Sequence, residues 1–282
     1  MKLFNDILEK SKLYDYIMIH SDITSLLYQY DKKIIKDKFF DLFIKLIDNG
    51  KNIIIPTFNW DFCKKKNYYF TNSKSQTGIL SQWCLDSELF ERTNDPIYSC
   101  VVSGRNKDIF LETEYKSAFG KNSIFSKLNQ INTLIIMINN EHLTIAHYYE
   151  EQLNLNYRYL KKFYGKVNFY NKEVENFEYN MFVRSYDISP IHNNSFEKYH
   201  NFKSINKYIY NEDFYIIFIN VNIFKKEIIT TLSKNYLFYL ENKVEVSHKL
   251  YSNNLKKEFT DKDQYTFAKI SGDFNPLHYD KH

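Results

Sequence analysis

Apolar and polar positions alternate along this chain in blocks that read as strands and helices in turn. Residues 3–11 space their apolar side chains for one face of a short helix, and residues 14–20 form a nearly continuous apolar run that ends at Ser21, as a buried strand does. Ser21 or Asp22 can cap a helix running to about residue 30. A second helix is expected over residues 36–48, stopped by Asn49-Gly50, followed by an apolar strand over residues 52–56. Strand, helix, helix, strand is the rhythm of a sheet built with crossovers. Residues 57–77 are polar and aromatic, too long for a plain connector, and loops of that length often carry function. Helix is expected again over 78–91, strand over 99–103, the strongest buried strand over 131–137 and a helix over 142–153. Beyond them, residues 157–163 are basic and aromatic, 168–184 suggest antiparallel strands, 214–221 a core strand and 222–240 a helix. The expected fold class is α/β, a central mixed sheet flanked by helices.

Within the 142–153 helix, Thr144-Ile145-Ala146-His147-Tyr148-Tyr149-Glu150 follows the strongest strand and sets a histidine one turn from a carboxylate. Residues three or four apart share a helix face, so either Glu150 or Glu151 can hold the His147 imidazole in one tautomer and stabilise its protonated form. That is the arrangement of a polarised general base. Most such pairs are solvated surface decoration, so the spacing alone does not make a site.

Composition narrows the classes. The chain has 282 residues, 44% hydrophobic, ample for a core, and a formal net charge of +4. Lys and acidic residues are interspersed, so a nucleic-acid-binding stripe is not expected. Cys63, Cys84 and Cys100 show neither CxxC nor Cys/His ligand spacing, so no disulfide framework and no metal site is indicated. No apolar run is long enough to span a bilayer and no signal pattern opens the chain, so a cytoplasmic protein with reduced thiols and no membrane partner is expected. Glycine and proline are scarce, and they fall near the segments that matter next.

Five segments in order carry a resemblance: His20-Ser21-Asp22-Ile23-Thr24-Ser25-Leu26, Ile55-Pro56-Thr57-Phe58-Asn59-Trp60, the stretch from Arg92 to Gly104, Phe119-Gly120-Lys121-Asn122-Ser123, and Thr144 to Glu150. The chain resembles the antibiotic N-acetyltransferases, of which the aminoglycoside 3-N-acetyltransferases are the best known, over roughly residues 10–170. The resemblance implies that family's α/β fold rather than the GNAT architecture, over a domain expected to span 1–250. It implies direct acyl transfer from acetyl-CoA, or another acyl-CoA, to an amine in a ternary complex, without an acyl-enzyme.

By the same resemblance His147 is the base, Glu150 orients it, and Glu151 is left to solvent or the acceptor. Thr57 either donates to the developing oxyanion or leaving sulfur, or simply caps the loop after Pro56. Coenzyme contacts are implied for His20, Ser21, Thr24, Ser25, Thr57 and Ser99, with backbone N–H groups at the Ser21–Ser25 turn offered to the pyrophosphate. Asp22 works against an anion there. Asp95 stands where the family usually has histidine, and Ile124 where it often has proline. Asp95 is expected, with Trp60 and Glu151, to meet the acceptor. That acceptor is expected to be an amino sugar, either an aminoglycoside or a nucleotide-linked sugar of surface glycan synthesis, while a non-catalytic coenzyme-binding remnant is the third reading.

Residues 251–282 differ in kind. Ser271-Gly272-Asp273-Phe274-Asn275-Pro276-Leu277-His278 resembles the entry of a MaoC-like hot-dog hydratase. Such a fold needs roughly a hundred residues, so a truncated helical stub without hydratase activity is expected.

Overall fold

The computed structural model describes residues 2–169, 172–184 and 196–240. The expected stub, with Asp273 and His278, and the boundary near 250 lie outside the described residues.

The chain opens with α1 (Lys2–Ser11), β1 (Tyr16–Ser21), α2 (Thr24–Gln29), α3 (Lys32–Asp48) and β2 (Asn52–Pro56). There follow α4 (Asp61–Lys65), β3 (Asn67–Tyr69), α5 (Ile79–Leu85), β4 (Glu91–Arg92), β5 (Cys100–Ser103), α6 (Asp108–Leu111), α7 (Ile124–Leu128), β6 (Thr133–Ile138) and α8 (Ala146–Gln152). The remainder is β7 (Arg158–Phe169), β8 (Lys172–Arg184), β9 (Ile205–Asn211), β10 (Phe214–Asn220) and α9 (Val221–Lys234).

Seven strands form one mixed sheet in the order β4-β5-β2-β1-β6-β10-β9, and β3-β7-β8 form a second. β1 lies between β2 and β6 and runs parallel to both, while β5 and β10 are antiparallel to their neighbours β2 and β6. Central parallel strands are covered on both faces, which is why their sequences read as unbroken apolar runs. Period-two alternation sorts those runs. Ile17, Ile19, Ile53, Ile55, Ile136 and Phe218 face Phe39 and Phe43 of α3. Met18, Ile54, Ile135, Met137, Ile217 and Ile219 face the opposite core, with Phe224 of α9 and the inner face of the smaller sheet.

The expected strands are present, and several boundaries move for local reasons. α3 starts four residues earlier than expected, because Asp31 caps it through Lys33 N at 2.8 Å and Ile34 N at 3.3 Å. The stretch 57–77 is not loop throughout: it holds α4 and β3, and β3 pairs in parallel with β7. The 78–91 helix stops at Leu85, and residues 91–92 join the large sheet as β4. The 142–153 helix begins only at Ala146, since Asn140 Oδ1 binds His142 N at 2.7 Å in a turn the sequence pattern hides. The 168–184 region is the second half of a long hairpin whose first strand includes the basic, aromatic residues 158–163. The last helix ends at Lys234 rather than at 240. β9, an edge strand with Ile209 73% exposed, follows none of the expected elements.

Gly104 shows why scarce glycines sit where they do. Its φ is +116°, and a Cβ there would lie 2.6 Å from Asn52 Oδ1. All three cysteines are buried, and none forms a disulfide.

Candidate active site

β1, β2 and β6 run in the same direction, so His20, Thr57 and the loop leading to α8 emerge together at the carboxyl edge of the sheet. In open α/β sheets that edge is where ligands bind. A run of aromatic rings spans it. His20 packs on Phe58 (6.3 Å between centroids), Phe58 on Tyr98 (4.8 Å), Tyr98 on Phe119 (5.0 Å) and Phe119 on His147 (5.4 Å).

His147 and Glu150 occupy adjacent positions on one face of α8, with Nδ1 2.5 Å from Oε2. The Glu150 side chain is 1% exposed, whereas 39% of the His147 side chain is open. Tyr157 donates its hydroxyl to Glu150 Oε1 at 2.6 Å, and Arg158 Nη2 lies 2.9 Å from Oε2. Burial by itself raises the Glu150 carboxyl, but Arg158, His147 and Tyr157 outweigh it and hold the group at about 2. Glu150 is therefore a fixed anion. The imidazole is pulled below its ordinary 6.5 by desolvation and by Arg158 and Arg184, against the opposing pull of Glu150. With its edge open, that desolvation is partial, and the two guanidiniums matter correspondingly more. With Nδ1 committed inward, Nε2 makes no hydrogen bond among the described residues and is open to a ligand.

Thr57, Ser99 and Asp95 are held at the same edge in saturated networks of their own. The Thr57 hydroxyl contacts Ser99 O at 3.1 Å and Ser99 Oγ at 3.2 Å, and Ser99 Oγ donates to Thr57 O at 2.7 Å. Arg92 spans them, with Nη2 to Thr57 O (3.2 Å) and to Ser99 Oγ (3.0 Å), and Nη1 to Phe70 O (3.1 Å) and Ser73 O (2.5 Å). Thr57 and Ser99 are fully buried, and their hydroxyls bond within this network. Asp95 is equally closed. Its Oδ1 accepts from Ile97 N (2.8 Å) and Tyr98 N (2.7 Å), and Tyr179 OH bonds both oxygens. Its side chain thus ties the β4–β5 turn to β8 and presents no free oxygen to an acceptor. The histidine-to-aspartate departure is used by the fold.

The other expected contacts are mixed. His20 is 7% exposed, with a buried Nε2 lacking a partner, and burial holds its ring neutral at about 4. Ser21 Oγ and Ser25 Oγ are likewise buried without partners. The Thr24 backbone N–H is already taken by Asp22 Oδ1 at 2.9 Å, and Thr24 itself is exposed. Trp60 packs on Phe58 with its indole Nε1 buried and unpartnered. Glu151, whose Oε1 would lie 3.4 Å from a Cβ on Gly120, keeps Oε2 buried and unpartnered, and burial pushes its carboxyl up to about 7. Sequence reasoning did not place Tyr157 and Arg158 beside Glu150. Tyr157-Arg158-Tyr159 stands out as basic and aromatic, but nothing in the spacing says that the turn after α8 folds back and sets Tyr157 and Arg158 on Glu150. Among the described residues no group of three or more His, Cys, Asp or Glu side chains could hold a metal ion, and no helix is long and apolar enough to cross a membrane.

The family model described as aminoglycoside 3-N-acetyltransferase matches residues 18–221, well over half of the chain. The chain belongs to that family. It is an enzyme, an acyl-CoA-dependent N-acetyltransferase. Solved structures agree in fold. AAC-VIa bound to sisomicin has a TM-score of 0.64 at 11% identity, over 83% of this chain and 97% of that one. AAC-IIIb in a binary complex with CoASH has 0.62 at 11%, over 82% and 95%. YokD from Bacillus subtilis has 0.62 at 13%, over 83% and 93%. No curated protein matches this chain in sequence.

Proposed function

We propose that this enzyme transfers an acetyl group from acetyl-CoA to an amino group of an aminoglycoside, with His147 as general base. The observation that carries the reading is the His147–Glu150 pair: Nδ1 is held on a buried anion while Nε2 stays free at an open edge. In the reaction the amine lone pair attacks the thioester carbonyl carbon and Nε2 takes the amine proton. The C–N bond forms, the C–S bond breaks, and the electron pair leaves on sulfur, which the imidazolium can reprotonate. Glu150 stabilises the imidazolium while it lasts.

The donor fits at the end of β1, where His20 Nε2, Ser21 Oγ and Ser25 Oγ are buried polar atoms with no protein partner and so favour a polar ligand. Trp60 Nε1 and Glu151 Oε2 are the corresponding unspent groups for the acceptor. A carboxylate suits the ammonium groups of a polycationic aminoglycoside, and no observation favours a nucleotide-linked sugar over it. Relatives solved with CoASH and with sisomicin support a coenzyme and an aminoglycoside as the two substrates. The test is thiol release from acetyl-CoA by the purified protein with a panel of aminoglycosides and nucleotide amino sugars. Release with at least one aminoglycoside is expected, and none with any amine would sink the reading.

A further inference from the structure

The His147 Nδ1 atom faces two groups of opposite charge, Glu150 Oε2 at 2.5 Å and Arg158 Nη2 at 2.9 Å. One nitrogen cannot serve both in the same state. A guanidinium only donates, so it bonds Nδ1 only when that atom is bare. A carboxylate anion only accepts, so it bonds Nδ1 only when that atom carries hydrogen. Glu150 is an anion, and the shorter contact therefore places the hydrogen on Nδ1. The Arg158 donor is then spent on Glu150 Oε2, also 2.9 Å away. Arg158 cannot follow the ring, because Nη1 is anchored on the Phe182 carbonyl of β8 at 3.2 Å and the side chain is only 10% exposed.

We propose that Arg158 is a positioning residue of this site: by clamping Glu150 and standing beside Nδ1, it fixes the tautomer that leaves the Nε2 lone pair bare and opposes a second proton on the ring. The proposal deepens the acetyl-transfer reading and rests on it for the role given to Nε2. The reason for a cation here is electrostatic balance. A histidine facing a buried carboxylate alone would hold its proton and be a poor base near neutrality. The groups that face this ring are Glu150 on its own helix, Arg158 from β7 and Arg184 from β8, with apolar Phe119 closing the loop side. Two guanidiniums against one carboxylate keep the imidazole neutral until an amine gives it a proton.

The experiment is an NMR titration of the His147 ring, its signals assigned by their loss in His147→Ala, on the parent, Arg158→Gln and Arg158→Lys. The acid limb of kcat/KM is followed alongside. The parent midpoint is expected below 6.5. Arg158→Gln should raise it by about one pH unit, a tenfold loss of neutral ring at pH below both midpoints, with the acid limb moving equally and the KM for acetyl-CoA unchanged. Arg158→Lys, which keeps the charge, should restore most of the shift. An unmoved midpoint in Arg158→Gln, or one that moves as far in Arg158→Lys, overturns the assignment. Should Arg158→Gln not fold, the parent decides, and a midpoint at or above 6.5 overturns it. A parent with a low midpoint and no acetyl transfer would refute the catalytic reading while leaving the placement of Arg158 standing.

Discussion

Arg92 and Arg158 each gather a buried cluster at the same edge of the sheet, and they end in opposite states. Around Arg92 every donor meets a protein acceptor: Phe70 O, Ser73 O and Thr57 O, with Ser99 Oγ between. Around Arg158, Nη1 goes to Phe182 O and Nη2 to Glu150 while Nε is buried without a partner, and the cluster finishes in a histidine whose outer nitrogen makes no hydrogen bond among the described residues. The first cluster is bracing for the loops after β2 and β4. The second is a charge set that leaves the His147 outer nitrogen open to a ligand. The lesson is that hydroxyls and carboxylates near a catalytic edge are not interchangeable evidence: the state of their last lone pair decides.

The largest effect that would break this contrast is loss of the free nitrogen. His147→Ala should lower kcat by about 10² to 10⁴ while thermal unfolding stays close to the parent, because the side chain is partly exposed; an unchanged rate of thiol release would end its role as base. Arg92→Met should do the reverse. It takes the Arg92 donors from Phe70 O, Ser73 O and Thr57 O, of which Thr57 O keeps Ser99 Oγ, and should cost more than about 2 kcal/mol of stability in urea unfolding, whereas a variant as stable as the parent would refute the bracing role.

The two carboxylates sharpen the comparison through pH. Burial pushes Asp95 up to about 6, against the donors of Ile97, Tyr98 and Tyr179, so the stability it contributes is complete below about 4 and is lost as pH rises through 6. Glu150 is held down at about 2, so its contribution is present above 4.5 and is lost as pH falls through 2. Unfolding free energies measured across pH should therefore change by roughly 2–3 kcal/mol in opposite senses, with Asp95→Asn erasing the first slope and Glu150→Gln the second. Parallel slopes in both variants would mean the clusters are electrostatically alike. The smallest effect is expected from Tyr157→Phe, which removes one hydrogen bond to a buried anion and should cost about 1.5–2 kcal/mol, read as a lower urea midpoint with the His147 tautomer intact.

Much of the fold was legible because it is local. Near-continuous apolar runs marked β1, β2 and β6, and three-to-four spacing marked α1 and α3. The hairpin was legible only in part: β7 carries Lys161, Lys162, Lys166 and four aromatic residues, whose pattern makes sense once β8 and β3 lie on either side of it. β9 is an edge strand with alternating polar residues, and its pairing to β10 is a contact rather than a propensity.

The sequence by itself determined the α/β rhythm, the family resemblance and a histidine one turn from Glu150 or Glu151, because all three depend on residue order and on spacing within one element. The tertiary structure decided which polar groups are spent. Thr57, Ser99 and Asp95 close on partners distant in the chain, and Tyr157 and Arg158 arrive beside Glu150 because the turn after α8 folds back on it, Leu155 N bonding Glu150 O at 3.1 Å. Hydrogen-bond saturation is a property of three-dimensional neighbours, so no reading of spacing alone separates a brace from a base.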